Sequence, residues 1–275
     1  MTLQTAFGII FLAVTPAIAT IYLRFTYIFL RFKKYRKLEC YQVMIQIGIL
    51  DCATAPCVMT VGIVHLFDMD SLQFANACAA VFIVVGKMDG FLCVVLALNR
   101  LKVICKLRYP KFLHIVIVLL TWAYGTALLV VFLFPNCGIL IRPGMFLPIV
   151  DKSRPLVEFS YRLSGYFYQG TLCATFLIYA VIVAYISWTK RKMTTSSNIK
   201  EWNILAYAGI KFLIDMSLFI PSRYVDMSHS ANAFVLVLLN VAKLLAAPPV
   251  LYLALFRMAD KAVTYLNKEC RSAHL

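Results

Sequence analysis

Charge is what this chain has least of. Only 14% of its 275 residues are Asp, Glu, Lys or Arg, about half the share of a soluble domain. Acids are scarcest, 12 against 27 Lys and Arg. The nine cysteines contain no Cys-x-x-Cys spacing. The four histidines, His65, His114, His229 and His274, are scattered so that no two share a helix turn. Neither pattern offers the ligand cluster that a zinc site or a membrane-embedded hydrolase needs, so no enzyme, metal or cofactor is expected. There is no Asn-x-Ser/Thr acceptor, no tandem repeat and no low-complexity tract.

What the chain has instead is apolar length, with 62% hydrophobic residues. A bilayer core takes about 20 apolar residues per helix. Seven stretches qualify: 5–30, 41–66, 74–98, 112–134, 161–187, 203–223 and 231–256. They are too continuously apolar for barrel strands, which alternate. The expectation is an all-α polytopic membrane protein, one seven-transmembrane domain over 1–275, with 257–275 as a cytoplasmic tail. The first span lacks a basic leader and is longer than a signal-peptide core, so it is expected to stay.

Lys and Arg crowd into alternate connectors. Arg31, Lys33, Lys34, Arg36 and Lys37 fill the first; Lys102, Lys106, Arg108 and Lys111 the third; Lys190, Arg191, Lys192 and Lys200 the fifth. Arg257, Lys261, Lys268 and Arg271 fill the tail. The positive-inside rule makes these cytoplasmic and puts the N-terminus outside. The net charge of +15 is then charge facing anionic headgroups, and no nucleic-acid partner is expected. The segment after the last span, with Met258, Val263 and Leu266 among charges, is expected to be a short amphipathic helix on the membrane surface. The long outer connector 135–160 holds Pro135, Pro143, Pro148 and Pro155 and reads as a non-helical lid.

Cys52, Cys57, Cys93 and Cys173 fall inside spans as small apolar fillers, and Cys40 and Cys105 lie at the reducing cytoplasmic face. On the outer side are Cys78 and Cys137, either a bridge stapling the lid to the bundle or two free thiols. Six charges fall inside spans: Asp51, Lys87, Asp89, Lys211, Asp215 and Lys243. Each costs about 2.5–3.5 kcal/mol at the bilayer centre on insertion scales. They form a polar ligand or ion cavity, or a set of interhelical ion pairs. From Cys78 to Arg100 a helix rises roughly 33 Å, which puts Lys87 and Asp89 about midway. Lys211 and Asp215 share a helix face.

Span three ends Leu98-Asn99-Arg100. That ending resembles the acid-Arg-Tyr end of the third helix in rhodopsin-like G-protein-coupled receptors, and its Leu-Asn-Arg form resembles the nematode serpentine chemoreceptors of the Srg superfamily, Srx- and Srv-like. Asp51, Trp122, Phe219-Ile220-Pro221 and Pro249-Val250-Leu251-Tyr252 are similar to that class's marks in spans two, four, six and seven. Cys78 and Cys137 occupy the places of the receptor disulfide, although Cys78 is about three residues closer to Arg100 than is usual. Asn99 replaces the acid and Pro248 the usual Asn, and span five has no proline.

The resemblance implies a chemosensory receptor at the plasma membrane of sensory cilia. It would bind an extracellular small or pheromone-like molecule and activate a heterotrimeric G protein. Lys87, Asp89, Lys211, Asp215 and Lys243 would line the ligand site. Asn99, Arg100, Pro249 and Tyr252 would form the switch, with Asp51 a buried polar group. Opsins hold retinal on a seventh-helix lysine, but Lys243 is one residue out of that register, about 100° of rotation, so no retinal is expected. The rival reading is a small ion- or proton-coupled transporter or channel using the same buried charges. The absence of an inverted repeat weighs against it.

Overall fold

The computed structural model describes residues 3–32, 39–67, 73–107, 110, 112–135, 137–141, 148–192 and 216–217. The expected seventh span and tail, and nearly all of the expected sixth span, lie outside the described residues. Five helices in order are α1 (Leu3–Arg31), α2 (Glu39–Phe67), α3 (Gln73–Ile104), α4 (Phe112–Leu133) and α5 (Pro155–Lys192), with strands β1 (Ile139–Leu140) and β2 (Ile149–Val150) between α4 and α5. All five are long and apolar enough to cross a membrane. In hydrocarbon a backbone must satisfy its own hydrogen bonds, and a helix does so within one segment. The helix continues through Pro16 in α1 and Pro56 in α2. Just beyond each proline a threonine hydroxyl, Thr20 or Thr60, donates to that proline's carbonyl at 2.8 Å.

Neighbouring helices run antiparallel. The Phe29 ring at the end of α1 meets Tyr41 at the start of α2, centroids 5.2 Å apart, while Gly8 and Gly62 meet near the other end. A Cβ on Gly8 would lie 2.8 Å from the Gly62 carbonyl oxygen and 3.1 Å from the Leu66 Cβ. Only a hydrogen side chain lets the two backbones approach this closely. The core centres on α3, whose Ala79, Ala80, Leu92, Val95 and Ala97 are fully buried. α3 packs on α2, α4 and β1.

The helix does not stop at Leu98 but runs on to Ile104. Its end is a Schellman turn: the Leu107 amide donates to the Lys102 carbonyl at 3.0 Å, with Lys106 between them in the left-handed region at φ 52°. That is the backbone such a cap requires, more often supplied by glycine. Asn99, Arg100 and Lys102 are therefore all displayed on regular helix.

The connector 135–160 is only partly a lid. β1 and β2 pair antiparallel, Ile139 opposite Val150 and Leu140 opposite Ile149, and helix begins at Pro155, before the expected start. Proline at a first helical position forfeits no bond, because that amide has no intrahelical partner. Just upstream the Asp151 carboxylate accepts the Ser153 amide at 3.0 Å and the Ser153 hydroxyl at 2.7 Å. Those hydrogen bonds hold the Asp151 carboxyl below the usual carboxylate value, with Arg154 adding to the effect.

Cys78 and Cys137 are both free thiols in this fold, so the expected bridge is not made. The reason is rotational. The residue that faces the hairpin is Asn76, whose side-chain oxygen accepts the Ile141 amide at 2.9 Å. Cys78, two positions on, is turned by about 200°, and its thiol lies beside that of Cys57 on α2 instead.

Three outcomes follow. Gly8→Val should force α1 off α2 and lower the thermal midpoint of the detergent-solubilised chain, at an overpacking cost of about 1–3 kcal/mol. Asn76→Ala should speed amide exchange at Ile141, one hydrogen bond being worth about 1 kcal/mol. A non-reducing peptide map should show no Cys78–Cys137 cross-link, and finding one would refute this helix register.

Candidate functional site

Two polar clusters interrupt the apolar packing of α3. The first is midway along it. The Lys87 ammonium lies 4.9 Å from the Tyr168 ring centroid and 5.8 Å from that of Tyr161. Both tyrosines stand on α5, about two helix turns apart and so on one face. A cation over aromatic faces gains about 0.5–2 kcal/mol, more as water is excluded. Gly90 makes the arrangement possible. A Cβ there would be 2.8 Å from the Tyr168 ring and 2.9 Å from the Thr171 hydroxyl, so any larger residue pushes α5 away from α3.

Asp89 is buried, 8% exposed, and accepts from the Cys93 thiol one turn on at 3.8 Å. Lys87 and Asp89 leave α3 about 200° apart, so the sequence pair divides between two surroundings. Beside Lys87 an aromatic group closes the gap between α3, α4 and α5. Tyr124 meets Phe91 edge-on at 5.1 Å and Phe167 edge-on at 6.2 Å. The cluster offers a partly buried cation beside an aromatic wall, which suits a small ligand with an apolar body and few polar atoms.

The second cluster is at the far end of α3. Arg100 donates to the Cys40 thiol of α2 at 2.7 Å. Beside it, Oε2 of Glu39 accepts Asn99 Nδ2 at 3.2 Å and Lys102 Nζ at 3.2 Å, with His114 Nε2 of α4 at 3.8 Å. Three helices thus meet at one carboxylate. Asn99 and His114 are buried, and Lys102 is mostly so at 19% exposed.

Of the residues expected from sequence, Lys87 and Asp89 stand on α3 as placed, and Asn99 and Arg100 share one end of it. Asp51 is partly buried on α2. Lys211, Asp215, Lys243, Pro249 and Tyr252 lie outside the described residues. Trp122 is on α4, where its indole donates to Gln46 of α2 at 3.1 Å. Sequence reasoning missed Glu39, Cys40, His114, Tyr161 and Tyr168. For Glu39 there was a signal, a lone acid closing a run of five basic residues at the start of a span. For the tyrosines there was none, because their partner is a residue far away in sequence.

No known sequence family matches the chain, and no curated protein does either. Among solved structures, squid rhodopsin matches with a TM-score of 0.70 at 10% sequence identity, over 97% of this chain and 87% of that one. At that identity the likeness concerns the fold alone. The chain is a multi-pass helical membrane protein with a rhodopsin-like fold.

Proposed function

We propose that this chain is a G-protein-coupled chemosensory receptor of the nematode serpentine type. On this reading it is one seven-helix domain at the plasma membrane, with its N-terminus outside and residues 257–275 as a cytoplasmic tail. A small extracellular molecule enters beneath the hairpin and binds in the aromatic wall around Lys87, with Asp89 deeper on α3. Lys211, Asp215 and Lys243 are proposed as further ligand-binding residues. Ligand binding favours a state in which Arg100 exchanges its partner on α2 for a heterotrimeric G protein, with Asn99, Pro249 and Tyr252 at the same switch. A ligand drives this only by binding the signalling state more tightly than the resting one.

The observation that carries the reading is the placement of both clusters on one helix. Lys87 and Arg100 stand on one continuous helix with the fully buried Leu92, Val95 and Ala97 between them, and on this reading a displacement at one is carried to the other. The rhodopsin-like fold supports the receptor part of the reading. Localisation to sensory cilia belongs to the same proposal.

The test is expression in cells carrying a nucleotide-exchange reporter and challenge with small-molecule mixtures. Arg100→Ala should abolish the response at unchanged surface expression, and an unchanged response would count against the mechanism. Gly90→Val, which displaces Tyr168 from Lys87, should shift the concentration dependence for an active compound at least tenfold while leaving the Arg100 end intact.

A further inference from the structure

We infer that Glu39 is a positioning residue: it clamps the Asn99–Arg100 end of α3 in its resting register, and does so between helices. The inference rests on the receptor reading only for its signalling consequence; the clamp itself is geometry.

Asn99 and Arg100 are consecutive on α3, and the residues they contact, Glu39 and Cys40, are consecutive in the first turn of α2. Asn99 has no charge of its own, so it cannot neutralise the arginine beside it. It donates instead to Glu39. Lys102, three residues on and on the same face of α3, donates to the same oxygen. His114 brings in α4 at 3.8 Å. The Glu39 side chain is only 26% exposed, so its contacts are less screened than those of a surface pair.

Arg100 is held more weakly. Its Nη2 has a neutral thiol, and its buried Nε has no partner among the described residues. Glu39 therefore positions Arg100 indirectly, by fixing the α2–α3 register that keeps the guanidinium over Cys40. Separating α2 from α3 breaks the Glu39 contacts, uncovers Cys40 and frees the arginine in a single movement.

Cys40 is 7% exposed and reports that movement. The experiment is maleimide labelling of the purified full-length chain in detergent micelles, read at each cysteine by mass spectrometry. Glu39→Gln should raise the Cys40 labelling rate roughly tenfold or more, the scale of a lost hydrogen bond to a charged group. Lys102→Gln should raise it too, and the double variant should exceed Glu39→Gln by little, because both remove one interaction. Cys57 and Cys78, buried elsewhere on α2 and α3, should stay at their wild-type rates.

An unchanged Cys40 rate overturns the clamp. So does a rise at Cys40, Cys57 and Cys78 together, which would make Glu39 a general fold residue. In reporter cells Glu39→Gln should raise nucleotide exchange without ligand. Selective Cys40 labelling with no such rise leaves the clamp standing and counts against the receptor reading instead.

Discussion

A helix packed on several sides has nowhere to put a charge except against another side chain, and the structure depends on how α3 meets that demand. One side of it is fully buried at Ala79, Ala80, Leu92, Val95 and Ala97, yet it carries Lys87, Asp89, Asn99, Arg100 and Lys102. An ion in such surroundings costs several kcal/mol unless it is compensated. Compensation differs along the helix. Two aromatic faces serve Lys87, a thiol serves Arg100, and a single carboxylate from α2 serves Asn99 and Lys102. These contacts set which face of α3 meets which neighbour, and the small residues around them, Gly90 above all, set how close that neighbour comes.

The two ends of α3 are finished in different ways. At one end Asn76 takes the Ile141 amide, so the hairpin is tied to α3 by a hydrogen bond and not by a covalent bond. Asp151, Ser153 and Pro155 then convert the hairpin into the start of α5. The Asp151 carboxyl is depressed, so its contribution is present above the ordinary carboxylate value and is lost as pH falls through the lower folded one. Its partners, Ser153 and Arg154, are within three residues of it, so the effect is local. At the other end the Schellman turn at Lys106 carries the helix far enough to bring Lys102 within reach of Glu39.

Much of this was legible in the chain. The five described helices follow from apolar length, and Lys87, Asp89 and Arg100 were conspicuous because charge inside an apolar run is costly. Helix ends were less legible. Leu98 looked like the end of α3 because polar residues begin there, whereas the backbone needs a terminating turn, which comes only at Lys106. Pro155 looked like a loop residue because proline breaks helices, but at a first position it starts one. The Cys78–Cys137 bridge failed on rotation: the usual receptor spacing falls about three residues earlier, at a position Ala75 holds, and Cys78 faces α2.

The sequence by itself determined that this is a membrane chain, where its described helices long and apolar enough to cross a bilayer fall, and which residues had to find partners, because transfer into hydrocarbon depends on composition along a single segment. Only the tertiary structure decided who those partners are. Glu39 meets Asn99, Lys102 and His114, and Lys87 meets Tyr161 and Tyr168, because helix rotation and close approach at Gly8, Gly62 and Gly90 bring distant parts of the chain together. No local pattern encodes that rotation. It is set by the packing of all the faces at once.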